Sequence, residues 1–152
     1  MRTLFGRAAV LGMVLIPSAA HAELLRVEFK LPGMDCAYCN GAMSASVRKI
    51  DGVETVELVA ETSTTVIKLK AGNKVTLAQL RRVIKSVGYD AKDATVNARG
   101  RFTDSATKFD LLTGTVLPLA SPPANPSAAI VEVSGTVKTD KDVDSLTISS
   151  VR

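Results

Sequence analysis

The spacing of the hydrophobic residues between positions 25 and 98 most narrowly limits the fold, because it switches between two periods. Leu25, Val27, Phe29 and Leu31 recur at every second position, which is typical of a strand with one buried face. Pro32-Gly33 ends this strand. The apolar positions that follow recur every three or four residues, at Cys39, Met43, Val47 and Ile50. This period predicts a helix from Cys36 to Ile50, and Asp51-Gly52 ends it.

The same succession of periods then occurs a second time. Residues 56–60 and 65–69 are predicted strands, joined by a turn over residues 61–64. A second helix begins at Thr76, where Gln79 completes a capping box. The exposed face of this helix should carry Arg81, Arg82 and Lys85, and Gly88 should end the helix. Residues 94–98 are predicted to form one more strand. The buried stripe of the helix is predicted to contain five residues: Leu77, Leu80, Val83, Ile84 and Val87.

The order of these elements is βαββαβ. With right-handed crossovers, this order gives a four-stranded antiparallel sheet with two helices on one face. We therefore predict an α+β fold, a ferredoxin-like βαββαβ sandwich, over residues 23–100.

Residues 101–152 differ in composition and are predicted to form a small β-rich C-terminal extension. Four of the six prolines fall within one loop of this region: Pro118, Pro122, Pro123 and Pro126. Strand-like runs cover residues 109–117, 130–137 and 146–151. The extension could pack beside the first domain and continue its last strand, and an OB-like barrel is an alternative.

Residues 1–22 have the pattern of a secretory signal peptide. Arg2 and Arg7 precede an apolar run over residues 8–16, and Ala20-His21-Ala22 is a small-x-small cleavage site. This apolar run is too short for a membrane span, although an uncleaved anchor is the alternative. We expect a periplasmic or secreted protein with no membrane span after cleavage.

Composition excludes several classes of function. Removing Arg2 and Arg7 from the 19 basic residues leaves 17 against 15 acidic residues, a balance too even for a nucleic-acid-binding surface. The chain has no Trp for stacking on bases. His21, the only histidine, is lost with the signal peptide, which excludes His-dependent triads and imidazole-ligated zinc. No catalytic motif is present, and we expect no enzyme activity.

The segment from Gly33 to Cys39 contains a C-x-x-C motif, Cys36-Ala37-Tyr38-Cys39, between the first strand and the first helix. Free N–H groups at a helix N-terminus favour thiolate over thiol. Structural zinc sites and cysteine-ligated iron–sulfur clusters require four ligands, whereas this region supplies two sulfurs. The ligand count favours an ion that accepts two sulfurs, chiefly Cu(I), with Hg(II) as a second possibility.

The motif and its surroundings resemble the heavy-metal-associated domain of copper chaperones and periplasmic mercury-binding proteins. Gly33, Met34, Cys36 and Cys39 reproduce the Gly-Met-x-Cys-x-x-Cys signature of that family. Its apolar-Gly-Val bend after the first helix appears as Ile50-Asp51-Gly52-Val53 with one residue inserted, and its late Gly-Tyr or Gly-Phe appears as Gly88-Tyr89. The resemblance implies that Cys36 and Cys39 are the metal ligands. It also implies that Met34 packs beneath the loop and that Tyr89 stands near the thiols.

Tyr38 departs from the small residues that the family usually has before the second cysteine. We treat it as a further residue that could contact the ion. The β extension has no counterpart in single-domain members of the family, so the resemblance leaves the choice of partner open.

The residues together suggest an exported protein that holds one soft metal ion, most simply Cu(I), for transfer or sequestration. The expected partner is a metal-transporting membrane protein or another metal carrier. A periplasmic Hg(II) scavenger would share the same motif. Two rivals of other classes are a thiol–disulfide oxidoreductase and an adaptor protein that uses the β extension. A structural disulfide between the two cysteines is a further alternative, because cysteine pairs in exported proteins commonly form disulfides.

Overall fold

The computed structural model describes residues 23–34, 37–111, 115–141 and 143–152, with the side chains of residues 37–39 excepted. In these ranges two α-helices and eight strands follow one another along the chain. In chain order they are β1 (Glu23–Lys30), α1 (Ala37–Arg48), β2 (Val53–Val59), β3 (Thr64–Leu69), α2 (Leu77–Ser86), β4 (Ala94–Thr103), β5 (Lys108–Asp110), β6 (Val116–Pro118), β7 (Val131–Asp140) and β8 (Val143–Val151).

The first four strands form the predicted antiparallel sheet in the order β2-β3-β1-β4. The central strand β1 pairs with β3 from Arg26 to Lys30 and with β4 from Glu23 to Phe29. Helices α1 and α2 contact each other and cover the core of this sheet. The prediction of an α+β, ferredoxin-like βαββαβ unit is confirmed.

The two helices follow their sequence patterns closely. Met43 and Val47 of α1 and Leu80 and Ile84 of α2 are fully buried, as the helical period predicts. The hydroxyl of Thr76 accepts a hydrogen bond from the N–H of Gln79 at 3.1 Å, so the predicted N-cap is present. Helix α1 is shorter than predicted, because Ile50 lies beyond its last residue and contributes to the core from the following turn.

The C-terminal extension continues the same sheet. Strand β7 pairs with β4 along residues 94–100, and β8 pairs with β7 on its far side. Leu119 forms a parallel bridge with Leu146, and the N–H of Ala120 donates to the carbonyl of Leu146 at 2.9 Å. The segment after β6 therefore lies along part of the outer edge of β8.

The predicted run over residues 109–117 is not one strand but two. Strands β5 and β6 pair with each other, with Phe109 opposite Leu117, and β5 also pairs with the end of β4. Phe109 and Leu117 are both buried, and the ring of Phe109 meets that of Phe102 edge to face at 5.3 Å. The apolar residues Phe109 and Leu117 of this run thus belong to two short strands and pack in one core.

The buried side chains of both parts belong to one hydrophobic cluster. It includes Leu24, Val27 and Phe29 from the first part and Val133 and Leu146 from the extension. Strand β4 crosses the proposed boundary between residues 100 and 101 without interruption. The division into two domains stays a prediction from composition.

Among the described residues, neither helix has the length and apolar character needed to cross a membrane.

Gly100 provides a test of how tightly β4 and β5 approach. A Cβ at this position would lie 2.4 Å from the carbonyl oxygen of Asp110 and 2.8 Å from Cε1 of Phe109. We expect Gly100→Ala to lower the free energy of unfolding by about 1–3 kcal/mol, since backbone and ring must both shift. The measurement is urea unfolding followed by circular dichroism.

Gly41 supplies the matched control, because it lies exposed in α1 and a Cβ there meets no atom within 4 Å. Gly41→Ala should raise the free energy of unfolding by about 0.5–1 kcal/mol through helix propensity. Equal effects of the two substitutions would contradict the close approach of β5 to β4.

Candidate metal centre

The predicted metal loop joins β1 to α1 at one end of the sheet. Cys36 lies outside the described residues, and the structure describes the backbone of Tyr38 and Cys39 but not their side chains. The assignment of Cys36 and Cys39 as ligands, and of Tyr38 as a neighbour, therefore stays a prediction. What the structure describes is the framework on both sides of the motif.

Helix α1 begins at Ala37, so the backbone places Cys39 in its first turn, and Cys36 is the residue that precedes the helix in the sequence. The first N–H groups of a helix have no carbonyl partner within the helix, and the helix dipole adds positive potential there. The first turn of α1 contains no acidic residue that would oppose this potential. The backbone of Cys39 thus lies where a helix favours negatively charged sulfur.

The base of the loop is fixed by backbone contacts. The N–H of Leu31 donates to the carbonyl of Ser63 at 2.8 Å, which ties the loop to the turn between β2 and β3. Gly33 adopts a positive φ of 83°, a conformation that residues with a Cβ rarely adopt. The chain therefore leaves β1 through Leu31, which is hydrogen-bonded to Ser63, and then turns sharply at Gly33.

Met34 lies in the core beneath the loop, with an exposed fraction of only 2%. Its sulfur is 4.0 Å from Oγ1 of Thr65, the second residue of β3, which donates a weak hydrogen bond to it. Thr65 is itself fully buried. Sequence reasoning missed Thr65, because a threonine at the start of a strand carries no signal that distinguishes an inward hydroxyl from an outward one.

Tyr89 is half-buried and packs against the core at the end of α2. The N–H of Tyr89 donates to the carbonyl of Ile84 at 3.2 Å, and that of Gly88 donates to the carbonyl of Lys85 at 3.0 Å. With Gly88 at a φ of 93°, these bonds form a Schellman motif. Since Ala94 pairs with Phe29, the segment before β4 lies at the same end of the sheet as the metal loop.

The described part of the chain contains no group of three or more His, Cys, Asp or Glu side chains arranged to hold a metal ion. Met34 has its sulfur turned toward Thr65 inside the core.

Comparison with known proteins assigns this framework to a family. The model of the heavy-metal-associated domain matches residues 28–90. The copper chaperone CopZ of Staphylococcus saprophyticus is 31% identical over 70 residues, which cover 46% of this chain and 96% of the chaperone. The chain belongs to the heavy-metal-associated domain family. The copper chaperone CopZ of Staphylococcus epidermidis is 29% identical over 63 residues, 41% of this chain and 91% of the relative.

A solved structure of oxidized MerP from Ralstonia metallidurans is also similar to this heavy-metal-associated domain. It is 25% identical, covers 48% of this chain and 96% of MerP, and has a TM-score of 0.40. The two CopZ relatives are named as chaperones and not as enzymes. The family match ends at residue 90, so β4 and the extension lie outside it.

The placement of Met34 predicts a structural role that can be separated from ligation. Met34→Ala should lower the free energy of unfolding by about 2–5 kcal/mol, because it leaves a cavity between the loop and β3. Met34→Leu conserves volume and should cost less than about 1.5 kcal/mol. Urea unfolding of the metal-free protein measures both. A loss with Leu as large as that with Ala would mean that the sulfur, and not packing, stabilises the loop.

Proposed function

We propose that this protein binds one Cu(I) ion between Cys36 and Cys39 and passes it to another protein, with no catalysis. The observation that carries the proposal is the Cys-x-x-Cys sequence at the first turn of α1 in a heavy-metal-associated domain. The similarity to copper chaperones supports the choice of ion. The Cu(I) ion is cargo, so the site must both hold and release it.

The chemistry of release follows from the number of ligands. Binding replaces the two thiol protons by two sulfur–copper bonds, since thiolates are the ligands. Cu(I) accepts two soft sulfurs and can accept a third. A thiolate of the receiving protein can therefore bind the ion before either Cys36 or Cys39 leaves. Each transfer then forms one sulfur–copper bond before it breaks one, which avoids a free ion.

The framework described above would serve this exchange by keeping the loop ready. The Leu31–Ser63 hydrogen bond holds the base of the loop, and Met34 anchors it from below. The N-terminus of α1 supplies unpaired N–H groups. A loop held at its base can present two sulfurs to a partner with little ordering cost. The expected partner is a metal-transporting membrane protein or a second metal carrier.

Substitution of the cysteines tests the proposed ligands. Reduced protein should bind one Cu(I) per chain. Cys36→Ser and Cys39→Ser should each weaken binding by roughly 100-fold or more, because a hydroxyl is a hard donor that Cu(I) disfavours. The measurement is competition against a chromophoric Cu(I) chelator under anaerobic conditions.

Met34→Leu is the matched control for that titration, since it removes the other sulfur of the Gly33–Cys39 motif and keeps both thiols. It should bind Cu(I) as the parent does. Unchanged binding by the Cys36→Ser/Cys39→Ser double variant would refute the proposed site. Parallel titrations with Hg(II) and Zn(II) decide the ion, and a clear preference for Hg(II) over Cu(I) would favour a mercury scavenger.

We further propose that residues 1–22 are a cleaved signal peptide and that the protein works in the periplasm. The cleavage motif ends at Ala22, and β1 begins at the next residue. Glu23 is 2% exposed; its carboxylate accepts a hydrogen bond from the N–H of Gly72 and lies 3.4 Å from Nη1 of Arg99. Every described element lies within residues 23–152.

Export predicts a defined N-terminus. The intact mass of the protein recovered from a periplasmic extract should correspond to a chain that starts at Glu23. Ala22→Phe should block cleavage, because the signal peptidase site requires a small residue, and should leave the full-length precursor. Recovery of uncleaved wild-type protein only from the cytoplasm would overturn the proposed localisation.

A further inference from the structure

The turn between β7 and β8 lies at the same end of the sheet as the metal loop. Phe29, Ala94, Val137 and Leu146 are paired in succession across β1, β4, β7 and β8. Beyond this row, on the side of the metal loop, lie Lys92 before β4 and the turn that joins β7 to β8. Neighbouring strands are about 4.8 Å apart, so three steps separate β1 from β8 by roughly 14 Å.

Arg81 connects this turn region to the segment that follows α2. Its Nη1 donates to both carboxylate oxygens of Asp144 in β8, each at 2.7 Å. Its Nε donates to the carbonyl of Ala91 at 3.0 Å, and its Nη2 to the carbonyl of Lys92 at 2.8 Å. All three guanidinium nitrogens are thus engaged. The sequence pattern had predicted that Arg81 faces solvent, which is wrong.

Thr139 of β7 completes the network. Its hydroxyl lies 2.6 Å from Oδ1 of Asp144 and 3.1 Å from the carbonyl oxygen of Lys92, and its single proton can be donated to either. We call Arg81, Asp144 and Thr139, with the carbonyls of Ala91 and Lys92, the Arg81 clasp. Two of its three side chains come from the extension.

The clasp differs from the surface ion pairs of this protein in burial. The side chains of Arg81 and Asp144 are 17% and 23% exposed, whereas those of Lys108 and Asp104, also 2.7 Å apart, are 47% and 59% exposed. Exposed pairs contribute little to stability, because solvent screens them. Removal of Asp144 would instead leave a largely covered cation that has only two carbonyls as partners.

The clasp holds one side of the segment 88–92, and the Schellman motif holds the other. Gly88 and Tyr89 are bonded to the last turn of α2, and the carbonyls of Ala91 and Lys92 are bonded to Arg81. The segment is therefore held at both of its ends, and both sets of bonds connect it to α2. Only the Arg81 side depends on residues that lie outside the family match.

We infer that the C-terminal extension positions the segment 88–92, and with it Tyr89, at the metal end of the sheet through Asp144 and Thr139. This inference rests on the proposed function, because its consequence for the protein is a change in metal binding. Asp144 is a positioning residue and does not contact the ion. If the segment is already ordered before the ion binds, the free energy of binding is not reduced by the cost of ordering it.

The first arm of the test is independent of metal. Hydrogen exchange of the metal-free full chain, resolved by residue, should show that Asp144→Asn reduces protection of residues 88–92 by roughly 10-fold, while β2 and β3 keep theirs. Asp104→Asn is the matched control and should change nothing in this segment. Unchanged protection of residues 88–92 in Asp144→Asn and in Asp144→Ala would overturn the inference.

The second arm measures Cu(I) affinity by chelator competition. Asp144→Asn should raise the dissociation constant by roughly 3- to 10-fold with one ion still bound, as expected when a neighbouring segment must be ordered on binding. Thr139→Val should act in the same direction, and Thr139→Ser should restore the parent value because it keeps the hydroxyl. Reduced protection with parent affinity would show that the clasp stabilises the fold only, and would overturn its link to the metal.

The two proposals fail separately. If the parent protein binds no Cu(I), the proposed function is wrong, and hydrogen exchange still decides whether Asp144 orders the segment. If Asp144→Asn does not fold, Thr139→Val supplies both measurements, since it leaves the Arg81–Asp144 ion pair in place.

Discussion

Strand β4 is the element on which the rest of the structure depends, because it pairs with neighbours on both sides. It pairs with β1 along residues 94–99 and with β7 along residues 94–100, and its last residues pair with β5. In a βαββαβ unit without an extension, β4 would be an edge strand with one row of unpaired backbone groups. Here those groups are bonded to β7. The core of the extension, through Val133 and Val137, is consequently continuous with the core beneath the helices.

The sequence predicted those features that depend on local interactions. The capping box at Thr76 joins residues three apart, and the alternation of Val27 and Phe29 follows from one buried face. At the start of β1, an irregularity between Leu24 and Arg26 buries Leu24 in place of the predicted Leu25. The position of Arg81 could not be predicted in this way, because its partner Asp144 lies 63 residues further along the chain. From the helical period alone, Arg81 belongs to a polar face. Only the docking of β8 beside α2 turns that face inward at this residue.

The same distinction applies to the candidate site. The two cysteines were predicted as ligands from a motif of seven residues and stay a prediction, whereas Met34 of the same motif is 2% exposed in the structure. Thr65 was not found, since its hydroxyl meets Met34 only after β3 pairs with β1. Likewise, the run over residues 109–117 contains enough apolar residues for one strand, and its division into β5 and β6 is set by the pairing of Phe109 with Leu117.

The bridge between Leu119 and Leu146 bears on how copies of this protein meet one another. Because the extension adds β7 and β8, β8 replaces β4 as the edge strand on the side of the sheet opposite β2, and at this edge the N–H of Ala120 already donates to the carbonyl of Leu146. For a second chain that approached β8, this segment would obstruct the middle of the strand. The exposed large hydrophobic residues of β8, Val143 and Val151, lie at its two ends. Interrupted edges resist strand-to-strand aggregation. The segment after β6 therefore works against pairing of a second chain with β8, quite apart from any part it has in binding metal.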